Sequence, residues 1–286
     1  MTGSFSDKDW EILIQRIKDK KCTPFLGAGA AYGVLPLGAD IAQDWAQKYE
    51  YPFADSSNLI AVAQFLALKM DPMAPKEEII RMFATLNKAP DFSDRCEPHR
   101  VLASLPLPIY ITTNYDNFMM QALVRQEKDA RQELCRWNKF IRGQPSAFDK
   151  DFVPTVANPV VFHFHGYSPL AESLVLTEDD YMNFIANISR EEILPKPIQT
   201  AFIGTSLLFV GYRMADWNFR VLLLTLSGFI ENSLQRTHFA VMTPPMSSAI
   251  MKQKALDYLS EYYESLDVRV YWGTAREFAQ ELQARL

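Results

Sequence analysis

No Cys-x-x-Cys pair occurs anywhere in the 286 residues, and the three cysteines, Cys22, Cys96 and Cys135, stand far apart with no histidine cluster beside them. That spacing excludes the usual structural zinc module and predicts reduced thiols. A basic excess is also missing. With 29 Lys and Arg against 34 Asp and Glu, the net charge is -5 and the pI about 5.5, which argues against a sequence-independent grip on nucleic acid through a broadly basic surface. No apolar run approaches the ~20 residues of a membrane-spanning helix, and Met1 leads into a polar segment instead of a signal region. A cytoplasmic protein is expected, with neither a membrane nor nucleic acid as a direct partner. Internal repeats and low-complexity segments are absent as well.

What is present is a chain able to bury a large core, 48% hydrophobic and 22% charged. Its organising stretch is Cys22-Thr23-Pro24-Phe25-Leu26-Gly27-Ala28-Gly29-Ala30-Ala31, an apolar run ending in two glycines. It reads as a buried parallel strand opening into a glycine turn, where backbone amides and a following helix N-terminus can face a phosphate. Before it, Ser6 and Asp9 have the form of a capping box, followed by Trp10, Leu13, Ile14 and Ile17 at helical spacing. After Pro36 three helices are expected: one on Ile41, Ala42, Trp45, Ala46 and Tyr49, then 58–70 and 75–86.

Further strands are expected over 107–113, 159–164, 206–211, 239–242 and 268–272. A second capping-box pattern, Thr177-Glu178-Asp179-Asp180, predicts a helix start, and others are expected on Val221 to Leu226 with Asp216 as cap, over 247–265, and over 275–286. The alternation favours a doubly wound, Rossmann-like α/β sheet with a helical insertion and no zinc ribbon. Residues 1–286 are read as one domain: a core of 1–50, 100–125 and 155–286, a helical layer over 51–99, and a peripheral insertion over 126–155.

In such a sheet ligands collect at the carboxyl edge near a topological switch, so residues just after strands are the candidates. Gly27-Ala28-Gly29, Thr112 to Asp116, His165-Gly166, and Gly211 to Asp216 sit there. Asn114 can donate and accept without titrating, and an imidazole with an ordinary pKa of about 6.5 suits His165 to weak-base chemistry. Structural readings stand beside these. Asn114 and Asp116 also suit a turn and an N-cap, His163 a hydrogen-bonded core position, and His99 and His238 form no constellation.

The ordered set Phe25-Leu26-Gly27-Ala28-Gly29, Thr112-Thr113-Asn114-Tyr115-Asp116, Phe164-His165-Gly166, Leu176 to Tyr181, and Leu208-Phe209-Val210-Gly211-Tyr212 with Asp216 resembles the sirtuin superfamily. The likeness is greater to its branch found in prokaryotic antiphage defence proteins. The resemblance implies a Rossmann-like domain for NAD, which many members hydrolyse to nicotinamide and ADP-ribose. It implies Gly27, Ala28 and Gly29 at the pyrophosphate, Asn114 and Asp116 near the nicotinamide ribose, and His165 as the catalytic histidine. Thr112, Gly211 and Tyr212 join the nucleotide-binding set, and NAD is substrate, with no metal. The four-cysteine module of sirtuin deacylases has no counterpart between Gly166 and Gly211, and Leu37-Gly38-Ala39 stands where an Asp-Phe-Arg would follow. Hydrolysis is therefore expected over lysine deacylation.

The expected role is an antiphage effector. Its control would come from oligomerisation or a separate sensor, an Argonaute-like protein, a translocase or a phage protein. A non-catalytic module that binds NAD or ADP-ribose is the alternative from another class.

Overall fold

The computed structural model describes residues 5–188, 193–212, 236–244 and 249–286. Its strands are β1 (Cys22–Leu26), β2 (Ile109–Thr112), β3 (Arg131–Leu134), β4 (Val160–His163), β5 (Ser206–Tyr212), β6 (His238–Met242) and β7 (Val268–Trp272). All pair in parallel, in the order β3-β4-β2-β1-β5-β6-β7. From β1 the chain passes to β2, skips to the edge at β3, returns to β4 between them, then crosses to β5 on the other side of β1 and builds outward through β6 and β7. The switch point is β1, and the loops leaving β1, β2 and β5 are forced to be neighbours at its carboxyl end.

Strand alternation sorts the core onto two faces. Cys22, Leu26, Tyr110, Val161, Leu208, Val210 and Phe239 face α1 (Asp7–Lys18), α5 (Pro98–Ser104), α6 (Phe118–Arg125) and α11 (Ala275–Arg285). Phe25, Ile111, Phe162, Leu207, Phe209 and Ala240 face α8 (Glu178–Ile188), α9 (Lys196–Gly204) and α10 (Ala249–Glu264). A third cluster joins α2 (Gly38–Lys48), α3 (Leu59–Lys69) and α4 (Ala74–Leu86), and Leu174 and Leu176 tie it to the sheet. The short α7 (Lys139–Arg142) lies on the far edge.

The capping boxes form as the sequence predicts. Ser6 Oγ accepts the Asp9 N–H at 3.2 Å while Asp9 Oδ2 accepts the Ser6 N–H at 2.9 Å, opening α1. Thr177 and Asp180 exchange the same pair of bonds at 3.1 Å before α8. Four elements, β3, α5, the short α7 and α9, are additional to those expected. β3 lies inside 126–155 as an edge strand, and its charged Arg131 and Glu133 give it no apolar signature. Glu133 is buried because Arg136, Ser146 Oγ and the Ala147 N–H all donate to it. α5 and α9 are too short for a 3.6-residue period to show. The expected helix on Val221 to Leu226 and its cap Asp216 lie outside the described residues. Among the described residues no helix is long and apolar enough to cross a membrane.

One buried ion pair locks the helical layer to the sheet. Lys76 of α4 lies 2.8 Å from Asp180, and their side chains are 7% and 13% exposed. Asp180 also accepts the Leu176 and Thr177 N–H groups, and the ammonium sits 5.6 Å from the centre of the Trp137 ring. Breaking such a pair by removing one partner leaves a buried charge uncompensated. Lys76→Met is therefore expected to lower unfolding free energy in urea by about 3 kcal/mol, and Asp7→Ala, which breaks an exposed pair with Arg285, by less than about 0.5 kcal/mol. Equal losses would contradict this assignment.

Candidate active site

At the switch point the glycine turn is held by its neighbours. The Gly27 N–H donates to the Val210 carbonyl at 2.9 Å, and residues Ala28–Ala31 make a single 3₁₀ turn. No long helix follows at once, since α2 begins only at Gly38. The expected helix N-terminus at a phosphate is thus replaced by turn amides. Among the described residues the N–H groups of Ala28 and Gly29 meet no acceptor; Ala28 is exposed and Gly29 half-buried. Two unengaged amides beside each other at a sheet edge can receive an anion.

The glycines answer first to packing. Gly211 has φ +84°, and a Cβ there would lie 2.2 Å from the Ala30 nitrogen. A Cβ on Gly29 would lie 2.8 Å from the Gly211 oxygen, and one on Gly27 2.8 Å from the Tyr212 ring. Tyr212 occupies the space Gly27 leaves: its hydroxyl donates to the Leu26 carbonyl at 3.2 Å and lies 2.9 Å from Thr113 Oγ1. The Leu26 carbonyl also accepts the Thr113 N–H at 2.9 Å. β1, β2 and β5 meet on one oxygen.

Asn114 is brought to the same place. Its Nδ2 donates to the Gly27 carbonyl at 3.1 Å, which fixes the amide's orientation and leaves Oδ1 turned away from that bond. Thr112 is buried, and its hydroxyl accepts the Asn114 N–H at 3.0 Å, so it shapes the loop from within. Asp116 Oδ1 accepts the N–H of Phe118 at 2.9 Å at the start of α6. Burial pushes the Asp116 carboxyl up from the usual carboxylate range, an effect that nearby His99 partly offsets.

His165 stands one strand further out, beyond the end of β4, and is packed against the core. Its ring stacks on Phe164 with centroids 5.6 Å apart and meets Phe184 and Tyr181 edge-on at 5.1 and 5.3 Å. The Tyr181 hydroxyl is 3.5 Å from Nδ1. With the residue 6% exposed, burial pushes the imidazole down to about 3. The backbone still links it to the site, because Ser168 N–H donates to the Tyr115 carbonyl and Phe164 N–H to the Thr112 carbonyl. His163 is fully buried against Tyr167, and burial pushes it down to about 4.

The structure thus joins Gly27, Gly29, Asn114, Gly211 and Tyr212 in direct contact, sets Ala28 and Asp116 on the flanking turns, and keeps the His165 ring apart under an aromatic cover. The sequence reading missed Thr113 and Tyr181. Both lie inside quoted motifs, Thr-Thr-Asn-Tyr-Asp and the stretch ending at Tyr181, which was the available signal.

Two measurements check this geometry. His163, His165 and His238 all bind protons more weakly folded than unfolded. Below about pH 6.5 the unfolded chain therefore gains protons first, and stability is lost as pH falls from about 6.5 toward 4, by up to about 1.4 kcal/mol per pH unit for each ring. Urea unfolding between pH 8 and 4 reads this, and a flat profile would contradict the burial. Gly211→Ala forces a side chain onto a left-handed backbone against Ala30 and is expected to cost about 2 kcal/mol or more. Gly143→Ala, which meets nothing within 4 Å, should stay within about 0.5 kcal/mol.

Comparison with known proteins places these residues in a family. Residues 108–266 match the family model described as a SIR2-like domain. The chain is 26% identical over 217 residues to NAD(+) hydrolase ThsA of Cytobacillus dafuensis, covering 73% of this chain and 39% of that protein. It is 24% identical over 231 residues to NAD(+) hydrolase ThsA of Bacillus cereus (strain MSX-D12), covering 80% and 44%. Against Defense-associated sirtuin 2 of Bacillus subtilis it is 24% identical over 174 residues, covering 60% and 15%. The chain therefore spans less than half the length of these curated relatives. With the parallel sheet, the switch-point loops and a family match across more than half its length, the chain belongs to the SIR2-like domain family.

Proposed function

We propose that this chain hydrolyses NAD to nicotinamide and ADP-ribose, as an antiphage defence effector acting in the cytoplasm. The observation that carries the reading is the contact of the Asn114 amide with the Gly27 carbonyl, beside the unengaged amides of Ala28 and Gly29. Relatives named NAD(+) hydrolase support it from outside the chain.

The chemistry asks little covalent work of the protein. The bond from the ribose carbon to nicotinamide breaks, nicotinamide leaves neutral, and the sugar gains oxocarbenium character. Water then adds to that carbon and gives up a proton. In this reading the turn amides and Gly211 hold the pyrophosphate. Asn114 Oδ1 holds a ribose hydroxyl or the attacking water, Asp116 steadies the loop, and Tyr212 closes the cleft floor under Gly27. His165 takes the water's proton.

A base must reach its proton and have an apt pKa. Under Phe164, Phe184 and Tyr181 the His165 ring has neither. Exposure would return its pKa toward about 6.5. Activation, by oligomerisation or by a separate sensor protein such as an Argonaute-like protein, a translocase or a phage protein, would then consist of turning this ring into the cleft.

The enclosure of His165 favours one competing reading, a module that binds NAD or ADP-ribose without turnover. Incubation with NAD across a range of protein concentrations, with and without an acetylated peptide, separates them by nicotinamide and ADP-ribose release. Hydrolysis predicts peptide-independent product, reduced about 10²- to 10⁴-fold by His165→Ala and strongly by Asn114→Ala. Calorimetric binding of NAD without product at any concentration supports the binding module. Product only with peptide supports a deacylase.

A further inference from the structure

Helix α3 is apolar on more sides than it buries. Nine of the eleven residues of Leu59–Lys69 are apolar, Gln64 and Lys69 being the exceptions. A helix apolar all round belongs in an interior, yet only Ile60, Val62, Ala63 and Leu66 are buried. Ala61, Gln64, Phe65 and Leu68, at i, i+3, i+4 and i+7, form the opposite stripe, and Leu68 is 78% exposed. The stripe does not end on α3. The Phe65 ring meets Tyr51 edge-on at 5.4 Å, and Tyr51 meets Phe53, itself 67% exposed, at 5.3 Å. On the other flank Gln64 exchanges two hydrogen bonds with Asp179, donating to its carboxylate at 2.9 Å and accepting its N–H at 3.1 Å. Met182, 70% exposed, follows one turn later on the same face of α8.

The exposed charge along the edges of this surface is acidic. Asp55 stands two residues after Phe53, and Glu178 and Asp179 open α8; all three are exposed. Asp55 and Glu178 both bear on Tyr51, whose phenol is pushed up from its ordinary value by burial and further by their charge. The neighbouring ammonium is engaged: Lys69 Nζ donates to the Tyr49 carbonyl at 2.8 Å and lies over the Phe65 ring, 5.5 Å from its centre. A second copy of this chain would bring the same carboxylates to the same rim across a two-fold axis, and an anionic lipid surface would be repelled as well. Cationic groups flanking an apolar ridge are the complement of such a face.

We propose that the face made by Phe53, Phe65, Leu68 and Met182, rimmed by Asp55 and Glu178, docks a basic amphipathic helix of a partner protein. Aliphatic side chains at helical spacing on that partner lie along the α3 stripe, and lysines or arginines on its flanks meet the carboxylates. The occupied surface includes the start of α8, the helix whose Tyr181 and Phe184 cover His165. Any effect on turnover therefore rests on the NAD reading above; the docking does not.

The probe is a synthetic amphipathic helix of leucine and lysine, set against a peptide of the same composition in scrambled order and a leucine–glutamate counterpart. In protein with labelled leucine and methionine methyl groups, the leucine–lysine helix is expected to shift Leu68 and Met182 first. Leu68→Gln, at an exposed position that keeps a helix former, should raise its Kd about tenfold. Asp55→Asn combined with Glu178→Gln should weaken binding by a factor that shrinks in high salt. Equal binding of the scrambled or glutamate peptide, shifts remote from α3 and α8, or an unmoved Kd in Leu68→Gln overturns the proposal. Sedimentation of the unaltered chain over a range of concentrations reads the other occupant: a dimer dissolved by Leu68→Gln assigns the face to a second copy and overturns the basic partner. None of these readouts uses NAD. Nicotinamide release measured with the peptide docked tests the link to α8 separately: a change that Leu68→Gln abolishes supports the link, and release that docking leaves unaltered overturns it. No release in either case counts against the NAD reading and leaves the docking result standing.

Discussion

The molecule depends on one close approach, that of the turn after β1 to the end of β5. Gly211 lies on the backbone of Gly29 and Ala30, and no side chain fits between them. Around that contact the Leu26 carbonyl gathers the Thr113 N–H and the Tyr212 hydroxyl. Because β1 is the switch strand, β2 and β5 flank it and their loops leave on the same edge. Topology supplies the convergence, and the missing side chains make it tight enough for the Asn114 amide to reach the Gly27 carbonyl.

The same economy has a cost on the neighbouring strand. Phe164, Phe184 and Tyr181 complete the core against α8, and they complete it over the His165 ring. The buried imidazole stays neutral, which a base requires, but burial removes the basicity that would make it effective. In the proposed NAD reaction the resting fold itself would withhold the proposed base. The helical layer bears on this too: the Lys76–Asp180 pair anchors the start of α8, the helix that carries Tyr181 and Phe184.

Much of this was legible in the sequence, and for physical reasons. Central parallel strands are apolar runs, so β1, β2, β4 and β5 announce themselves, and capping boxes mark the starts of α1 and α8. Glycine doublets at strand ends mark close approach, although Gly27 and Gly29 proved to meet Tyr212 and Gly211 before any ligand. What stayed hidden is what depends on partners distant in sequence. β3 is polar because it is an edge, and α5 is too short for periodicity. The ring direction of His165 is set by α8, more than ten residues on. His99 looked isolated because its partners are Glu97, two residues earlier, and the Phe118 ring, reached only once α6 packs on α5.

The central claim is that the loops after β1, β2 and β5 make one nucleotide site at the carboxyl edge. NMR of the isotope-labelled chain titrated with NAD tests it most directly. The account predicts shifts concentrated at the amides of Ala28 and Gly29, the Asn114 side-chain amide and Gly211. Shifts confined to the opposite edge, around the Thr23 and Thr205 hydroxyls that lie 2.7 Å apart beside a cavity of about 220 Å³, would contradict it.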